Sequence, residues 1–246
     1  MQPVGRGRPN GVDGARRLAY PDRMNDSVQI DEPQRGPGST GLIDAVADWL
    51  INEALSDSDI EDLFQGCCDR LLSAGVPLWR GHITFRMIHP LYFSIGLIWR
   101  RGEALSVETY PYPENGKIDP QFLASPLYHM IRTQIPFLRR RLVGDEAVLD
   151  FPVLPELRDS GATDYLGFTV PFGTGMFDGM AGSWASDRPS GFSDSDLQAL
   201  RRIQRRLGLA CKIRVKEQIA RNVVTAYLGT LAGQRVLDGQ IRRGDG

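Results

Sequence analysis

The chain has 246 residues, of which 41% are hydrophobic and 24% charged, with a formal net charge of -1. This near-neutral balance argues against a partner with a strong negative field, such as nucleic acid or an anionic membrane. No apolar run approaches the roughly 20 residues of a membrane span, so we expect no membrane segment.

The cysteine and histidine content predicts no metal site. Cys67, Cys68 and Cys211 are an odd and sparse set, which is typical of a reduced, cytoplasmic protein. The chain has no Cys-x-x-Cys or His-x-x-x-His pair, and known zinc sites rely on such spacings. A single axial ligand needs no motif, so haem ligation by one histidine stays open and the cofactor is unknown.

Residues 1–40 are rich in Gly, Pro, Arg and Asp, and we expect them to form a disordered tail. Two helices follow. The first spans residues 42–55, and the second begins at a capping-box pattern, Ser58-Asp59-Ile60-Glu61, and ends at Gly75. Its apolar face includes Cys67 and Cys68, which we interpret as small core residues rather than reactive thiols.

The next segments alternate as strands. Residues 78–88, 91–99 and 105–110 predict an antiparallel meander. A helix starting at Pro126, a strand or ordered loop over 138–142 and a helix over 153–160 follow.

Residues 163–172 and 180–186 are predicted to form a hairpin around a glycine-rich turn. This order of elements predicts an α+β domain: one antiparallel sheet, with flanking helices and room for a cavity on one face.

The last helix is longer than a single domain requires. Ser193 caps its start, and no Pro or obvious stop appears before Gly229. Its apolar residues keep a heptad-like spacing, which predicts a long dimerisation helix over 193–228 and a homodimer. The predicted dimer contacts are Leu200, Ile203, Leu207, Ala210, Val224 and Leu228.

Aromatic and polar residues on the predicted strands could line a small-molecule pocket, although Trp and Tyr on strands are also ordinary core residues. Arg139 and Arg141 could clamp a carboxylate or phosphate. The alternative, which we favour, is a surface turn held by a neighbouring acid such as Asp150. The candidate ligand-binding residues are Trp79, Arg80, His89, Trp99, Arg139, Arg141, Asp164, Tyr165 and Trp184.

The chain shows little that would support catalysis. It has no Gly-x-Ser-x-Gly and no phosphate-binding loop before a helix, and we find no Asp pair typical of a metal site. We therefore expect no catalytic residues and no enzymatic activity in this chain.

The sequence Gly-Phe-Ser-Asp-Ser-Asp-Leu-Gln-Ala-Leu at residues 191–200, together with the element order, resembles the entry to the last helix of GAF domains. A longer string of phrases is similar to the amino-terminal regulatory region of bacterial class III adenylate/guanylate cyclases, over about residues 42–246. It includes Pro-Leu-Trp-Arg at 77–80, Trp-Arg-Arg-Gly at 99–102, Arg-Arg-Arg-Leu at 139–142 and Trp-Ala-Ser-Asp-Arg-Pro at 184–189.

This resemblance implies a GAF-like sensor over 41–192, a signalling helix over 193–228 and a connector over 229–246 to a cyclase catalytic domain. The metal-binding and purine-selecting motifs of such cyclases have no counterpart here. The implied function is ligand-dependent control of cyclic AMP synthesis through the geometry of a helix dimer. The alternatives are a GAF-type enzyme such as a sulfoxide reductase, which would depend on Cys67 and Cys68, and a pure dimerisation module.

Overall fold

The computed structural model describes residues 39–87, 91–114 and 117–240. The chain forms α1 (Ser39–Ala54), α2 (Ile60–Ser73), β1 (Arg80–Arg86), β2 (Ser94–Arg100), β3 (Ser106–Tyr110), α3 (Pro120–Leu123), α4 (Pro126–Thr133), β4 (Phe137–Arg141), α5 (Val153–Asp159), β5 (Asp164–Pro171), β6 (Gly179–Ser186), α6 (Asp194–Leu228) and α7 (Thr230–Leu237). The predicted disordered tail lies outside the described residues, except for the first two residues of α1.

The strands form one six-stranded antiparallel sheet in the order β3-β2-β1-β6-β5-β4. Helices α1, α2 and α6 pack together and cover one face, while α4 packs on β4, β5 and β6. This confirms the predicted α+β architecture with a long final helix. The hairpin of β5 and β6 is confirmed as well, and β4 settles the choice between strand and loop at residues 138–142.

The capping of α2 differs from the prediction. Helix α2 begins after Asp59, whose side chain makes no capping hydrogen bond. Ser58, the predicted cap, instead accepts a hydrogen bond from the Ser56 hydroxyl at 3.0 Å. A local side-chain contact therefore replaces the expected capping box. At α6 the capping box is present, formed by Ser193 and Asp196.

The apolar stripe of α6 corrects the predicted dimer contacts. Leu200, Ile203, Leu207 and Ala210 are fully buried within the protomer, in the same core as α1, α2 and the sheet. A stripe of this spacing is equally that of a helix packed on its own domain. These side chains are therefore not available to a partner copy.

The end of α6 extends beyond the core. Val215 is the last buried residue of α6, whereas Tyr227 is 86% exposed. The predicted connector is partly helical, because α7 forms directly after Gly229 and packs on α6. Gly233 of α7 comes so close that a Cβ there would lie 3.2 Å from the Thr225 backbone.

Candidate functional site

The register of β1 decides which predicted residues share a face of the sheet. Gly81 pairs with Trp99 on one side and Trp184 on the other, so these three residues face the same way. A Cβ at Gly81 would lie within 3.2 Å of Phe64, Cys68 and Trp184 side-chain atoms, which identifies this face as the one under α2. Residues that alternate with Gly81 point to the opposite face.

This geometry places Trp99 and Trp184 in the core and not in a ligand pocket. Trp184 is fully buried and stacks on Phe168, with ring centroids 5.2 Å apart. Trp99 is also buried, and its Nε1 donates to Asp69 at 2.9 Å. Both indole rings pack between the sheet and the helices, and Nε1 of Trp184 is buried without a hydrogen-bond partner among the described residues.

The opposite face carries a cluster of polar and ionisable side chains. Its members follow from the strand registers, since directly paired residues share a face. We call this cluster the polar face, and it comprises Arg80, His82 and Thr84 of β1, Arg100 of β2, Glu108 and Tyr110 of β3, Tyr165 of β5 and Ser183 of β6.

Three atoms of the polar face are shielded from solvent and lack a hydrogen-bond partner in the described part of the chain. They are Nε of Arg80, Nε of Arg100 and Nε2 of His82. A buried polar group without a partner costs about 1–3 kcal/mol. Three such atoms on one face are open to partners from outside the chain, either water or a bound molecule.

The ionisation of the polar face follows from burial. Burial, together with the nearby charge of Arg80, lowers the pKa of His82 to about 3, so its imidazole is neutral at neutral pH. Burial and then Arg100 lower the pKa of Arg80. Burial and a hydrogen bond to Glu108 raise the pKa of Tyr110. The face therefore offers guanidiniums, a neutral imidazole and a protonated phenol.

Two large side chains lie over glycines of this face. A Cβ at Gly96 would lie 3.2 Å from the Tyr110 ring and 3.4 Å from Nε2 of His82. A Cβ at Gly167 would lie 2.8 Å from Sδ of Met130 in α4. Both glycines thus leave space for a large side chain that packs over them. Next to His82, this side chain is Tyr110 of the exposed strand β3.

A second cluster joins the sheet to the start of α6. Asp164 at the beginning of β5 is fully buried. It accepts from Arg139 Nη2 at 2.7 Å, from Arg141 Nη1 at 3.3 Å and from the backbone N–H of Phe192 at 2.9 Å. We call this group of four residues the Asp164 junction.

The junction continues into the cap of α6. Nε of Arg188 donates to the Gly191 carbonyl at 2.7 Å, and its guanidinium pairs with Asp196 of the capping box. Gly191 has φ 68°, and a Cβ there would overlap the Arg141 guanidinium. The loop between β6 and α6 is therefore held by charge-assisted bonds to β4 and β5.

The guanidiniums of β4 are engaged within the protein itself. A depression of about 450 Å³ is lined by Arg139, Arg140 and Arg141. However, Arg140 pairs with Asp150 at 2.7 Å, and Arg141 also donates to the carbonyls of Pro189 and Ser190. The structure thus argues against the ligand clamp considered for Arg139 and Arg141, which bind Asp164. The favoured pairing with Asp150 is present at Arg140, but these residues form strand β4 and not the predicted surface turn.

The other predicted site residues do not lie together in one site. Arg80 and Tyr165 lie on the polar face, and Tyr165 interacts with the Ser183 hydroxyl. Trp79 precedes β1 and packs beside the small core cluster that contains Tyr165. His89 lies outside the described residues. Sequence reasoning did not select His82 and Arg100, although strict alternation of polar residues along β1 would have placed His82 beside Arg80.

No group of three potential metal ligands occurs among the residues that the structure describes. No family model and no curated protein matches the chain. Comparison with solved structures does find similar ones.

A bacteriophytochrome from the photosynthetic bacterium R. palustris is 12% identical, with a TM-score of 0.47. The match covers 85% of this chain but only 47% of the length of that protein. The phycoerythrobilin-bound GAF domain of a cyanobacterial phytochrome is 14% identical, with a TM-score of 0.44. The match covers 73% of this chain and 99% of that domain. A putative GAF sensor protein from Burkholderia vietnamiensis is 10% identical, with a TM-score of 0.42. The match covers 72% of this chain and 98% of that protein.

Proposed function

We propose that this chain is a ligand-sensing regulatory domain that binds a small molecule on the polar face. The observation that carries the proposal is the set of shielded, unpartnered atoms on Arg80, His82 and Arg100. Such atoms are costly in a face that serves packing alone, whereas a ligand with matching groups would satisfy them.

The Asp164 junction supplies a route from the sheet to α6. The polar face includes Tyr165, the residue that follows Asp164 on β5. Asp164 in turn holds the backbone of Phe192, directly before the α6 capping box. A ligand that favours one arrangement of β5 would therefore bias the position of α6, by as much as its affinity differs between the arrangements.

We also propose, from the sequence resemblance, that the controlled partner is an attached adenylate cyclase in a cytoplasmic protein that signals through cyclic AMP. Dimerisation would use the exposed end of α6 and α7, where Val223, Tyr227, Leu228 and Leu231 are exposed. The sequence predicted dimer contacts along the whole of α6. The first part of that helix is buried within the chain itself, so the proposed dimer contacts are limited to its exposed end. No helix among the described residues is long and apolar enough to cross a membrane.

The cysteines argue against the alternative of a thiol-dependent enzyme. Cys67, Cys68 and Cys211 are all fully buried. Burial raises the pKa of Cys67 to about 12 and raises the pKa of the other two thiols as well. A thiol acts as a nucleophile through its thiolate, so these groups are poorly suited to attack a substrate.

Mass spectrometry and an absorbance spectrum of the freshly purified protein test the proposed function. We expect a small molecule that is released on denaturation, and the spectrum would reveal a haem or another coloured group. The matched variant His82→Leu should lose the molecule, while His129→Gln, an exposed histidine on α4, should retain it. A protein that carries nothing and is not stabilised by any compound of a metabolite library would contradict the proposal.

A further inference from the structure

Arg80 and Arg100 lie directly opposite each other on neighbouring strands of the polar face. Directly paired residues of an antiparallel sheet have Cβ atoms only about 5 Å apart, and like charges in this position destabilise the sheet. Arg100 approaches Glu103 at 4.0 Å, near the surface. Arg80 has no ion-pair partner within the described part of the chain.

We propose that the polar face binds its ligand through an anionic group, a carboxylate or a phosphate, held between Arg80 and Arg100. This inference rests on the proposed function, in which the same face is the ligand site. An anion between two guanidiniums converts their repulsion into two attractions and supplies acceptors for the shielded Nε atoms. Arginine donates in a planar fork that matches both kinds of oxyanion.

Glu108 is the acidic residue of the polar face, and its charge favours the charged form of Arg80, but it does not fulfil this role. Glu108 lies on the exposed edge strand β3 and is paired in register with Gly96, not with Arg100. Its carboxylate accepts a hydrogen bond from the Tyr110 hydroxyl at 2.5 Å. The Arg80 guanidinium also lacks any hydrogen bond to a carboxylate in the described part of the chain, whereas Arg139 and Arg140 each have one.

His82 defines the rest of the ligand. It follows Arg80 by two residues on the same strand, which places it about 7 Å along the polar face. Its imidazole is neutral and its Nε2 lacks a partner, so it suits a neutral hydroxyl, amide or ring nitrogen. The Glu108 carboxylate stands on that side and would repel a second negative group. The ligand class is therefore a small molecule with one anionic end and a neutral polar body.

Thermal denaturation with two probes tests this inference. The probes are inorganic phosphate and benzoate, each titrated at constant ionic strength against sodium chloride. For the wild type we expect a saturable rise in melting temperature with at least one of them. Phosphate alone would indicate a phosphate-bearing ligand, and benzoate alone a carboxylate.

The variants Arg80→Gln and Arg100→Gln should each raise the dissociation constant for the anion at least tenfold. Arg205→Gln, an exposed arginine on α6, is the matched control and should bind as the wild type does. Without added anion, Arg80→Gln should melt at or above the wild-type temperature, because it removes one of two adjacent like charges. If a glutamine variant does not fold, Arg80→Lys keeps the charge but loses the fork, and a fivefold or greater loss is expected.

The inference is overturned if neither anion gives a saturable shift, or if the shift is equal in Arg80→Gln, Arg100→Gln and the wild type. Failure of the sensor function is a separate result. A purified protein that carries a neutral or cationic molecule, lost on His82→Leu but kept on Arg80→Gln, would refute the anionic class and leave the ligand site standing.

Discussion

Arg139 donates Nε and Nη2 to the buried carboxylate of Asp164, with the shorter contact at 2.7 Å, and so fixes the edge strand β4 to the strand β5. The same hydrogen bond raises the pKa of Arg139. Asp164 also accepts a hydrogen bond from the backbone N–H of Phe192. The pair of Arg139 and Asp164 is therefore connected to the start of α6.

Replacing Asp164 with Asn should strongly destabilise the domain. It removes a buried negative charge that faces two arginines, and breaking such a pair costs about 3 kcal/mol. For a chain of this size we expect the melting temperature to fall by about 6–12 °C. Asp150→Asn is the control, because its pair with Arg140 is partly exposed and contributes about 0–1 kcal/mol. Equal shifts in the two variants would show that the junction has no special structural role.

His82 should make folding sensitive to acid. Its pKa in the folded protein, about 3, lies below the value of 6.5 expected when it is exposed. The unfolded chain therefore binds a proton that the folded chain rejects, and stability present above pH 6.5 is lost as the pH falls toward 3. The loss should be roughly 1 kcal/mol per pH unit below 6.5, somewhat less because His82 as a whole residue is half-buried.

Urea denaturation between pH 7.5 and 5 measures this effect. His82→Gln should show a shallower fall in unfolding free energy than the wild type, while His129→Gln should follow the wild type. If His82→Gln and the wild type have parallel profiles, the imidazole is already accessible to protons in the folded state.

The three cysteines should resist labelling in the native protein. All are buried, and burial raises the pKa of each thiol. With a disulfide-exchange reagent we expect no reaction within minutes at pH 8, followed by labelling of all three in guanidinium chloride. Rapid labelling of Cys67 or Cys68 in the native protein would instead favour the thiol-dependent enzyme.

Dimerisation should depend on the exposed end of α6. Tyr227 and Leu231 are each 86% exposed, whereas Leu207 is fully buried in the protomer. At tens of micromolar, sedimentation should show a dimer for the wild type and a monomer for Tyr227→Lys combined with Leu231→Lys. The control Arg205→Gln should remain dimeric. A monomeric wild type would contradict the proposed helix dimer.

The sequence predicted the elements of the fold better than their contacts. Alternation along β1 and the cap at Ser193 are local signals, and both are found in the structure. By contrast, the stripe of Leu200 and Ile203 has the same spacing whether it faces a partner or its own core. Only the packing of α6 on α1 and the sheet distinguishes the two.

The candidate site was predicted in part for a similar reason. Strand register decides that Arg80 faces away from Trp99 and Trp184, and register depends on pairing between segments that are distant in sequence. The pairing of Asp164 with Arg139 likewise joins residues 25 positions apart. Neither relationship has a local sequence pattern, so chemically suitable residues were grouped across both faces of the sheet.

Hydrogen exchange of α6 tests the coupling between ligand and helix most directly. The small molecule extracted from the purified protein is removed, and the exchange of the stripped protein is compared before and after the molecule is added back. We predict slower exchange in β1 and β2 and also in the first turns of α6, with the α6 effect lost in Asp164→Asn. Protection confined to β1 and β2 in the wild type, or absent altogether, would contradict the proposal that this domain senses a ligand through α6.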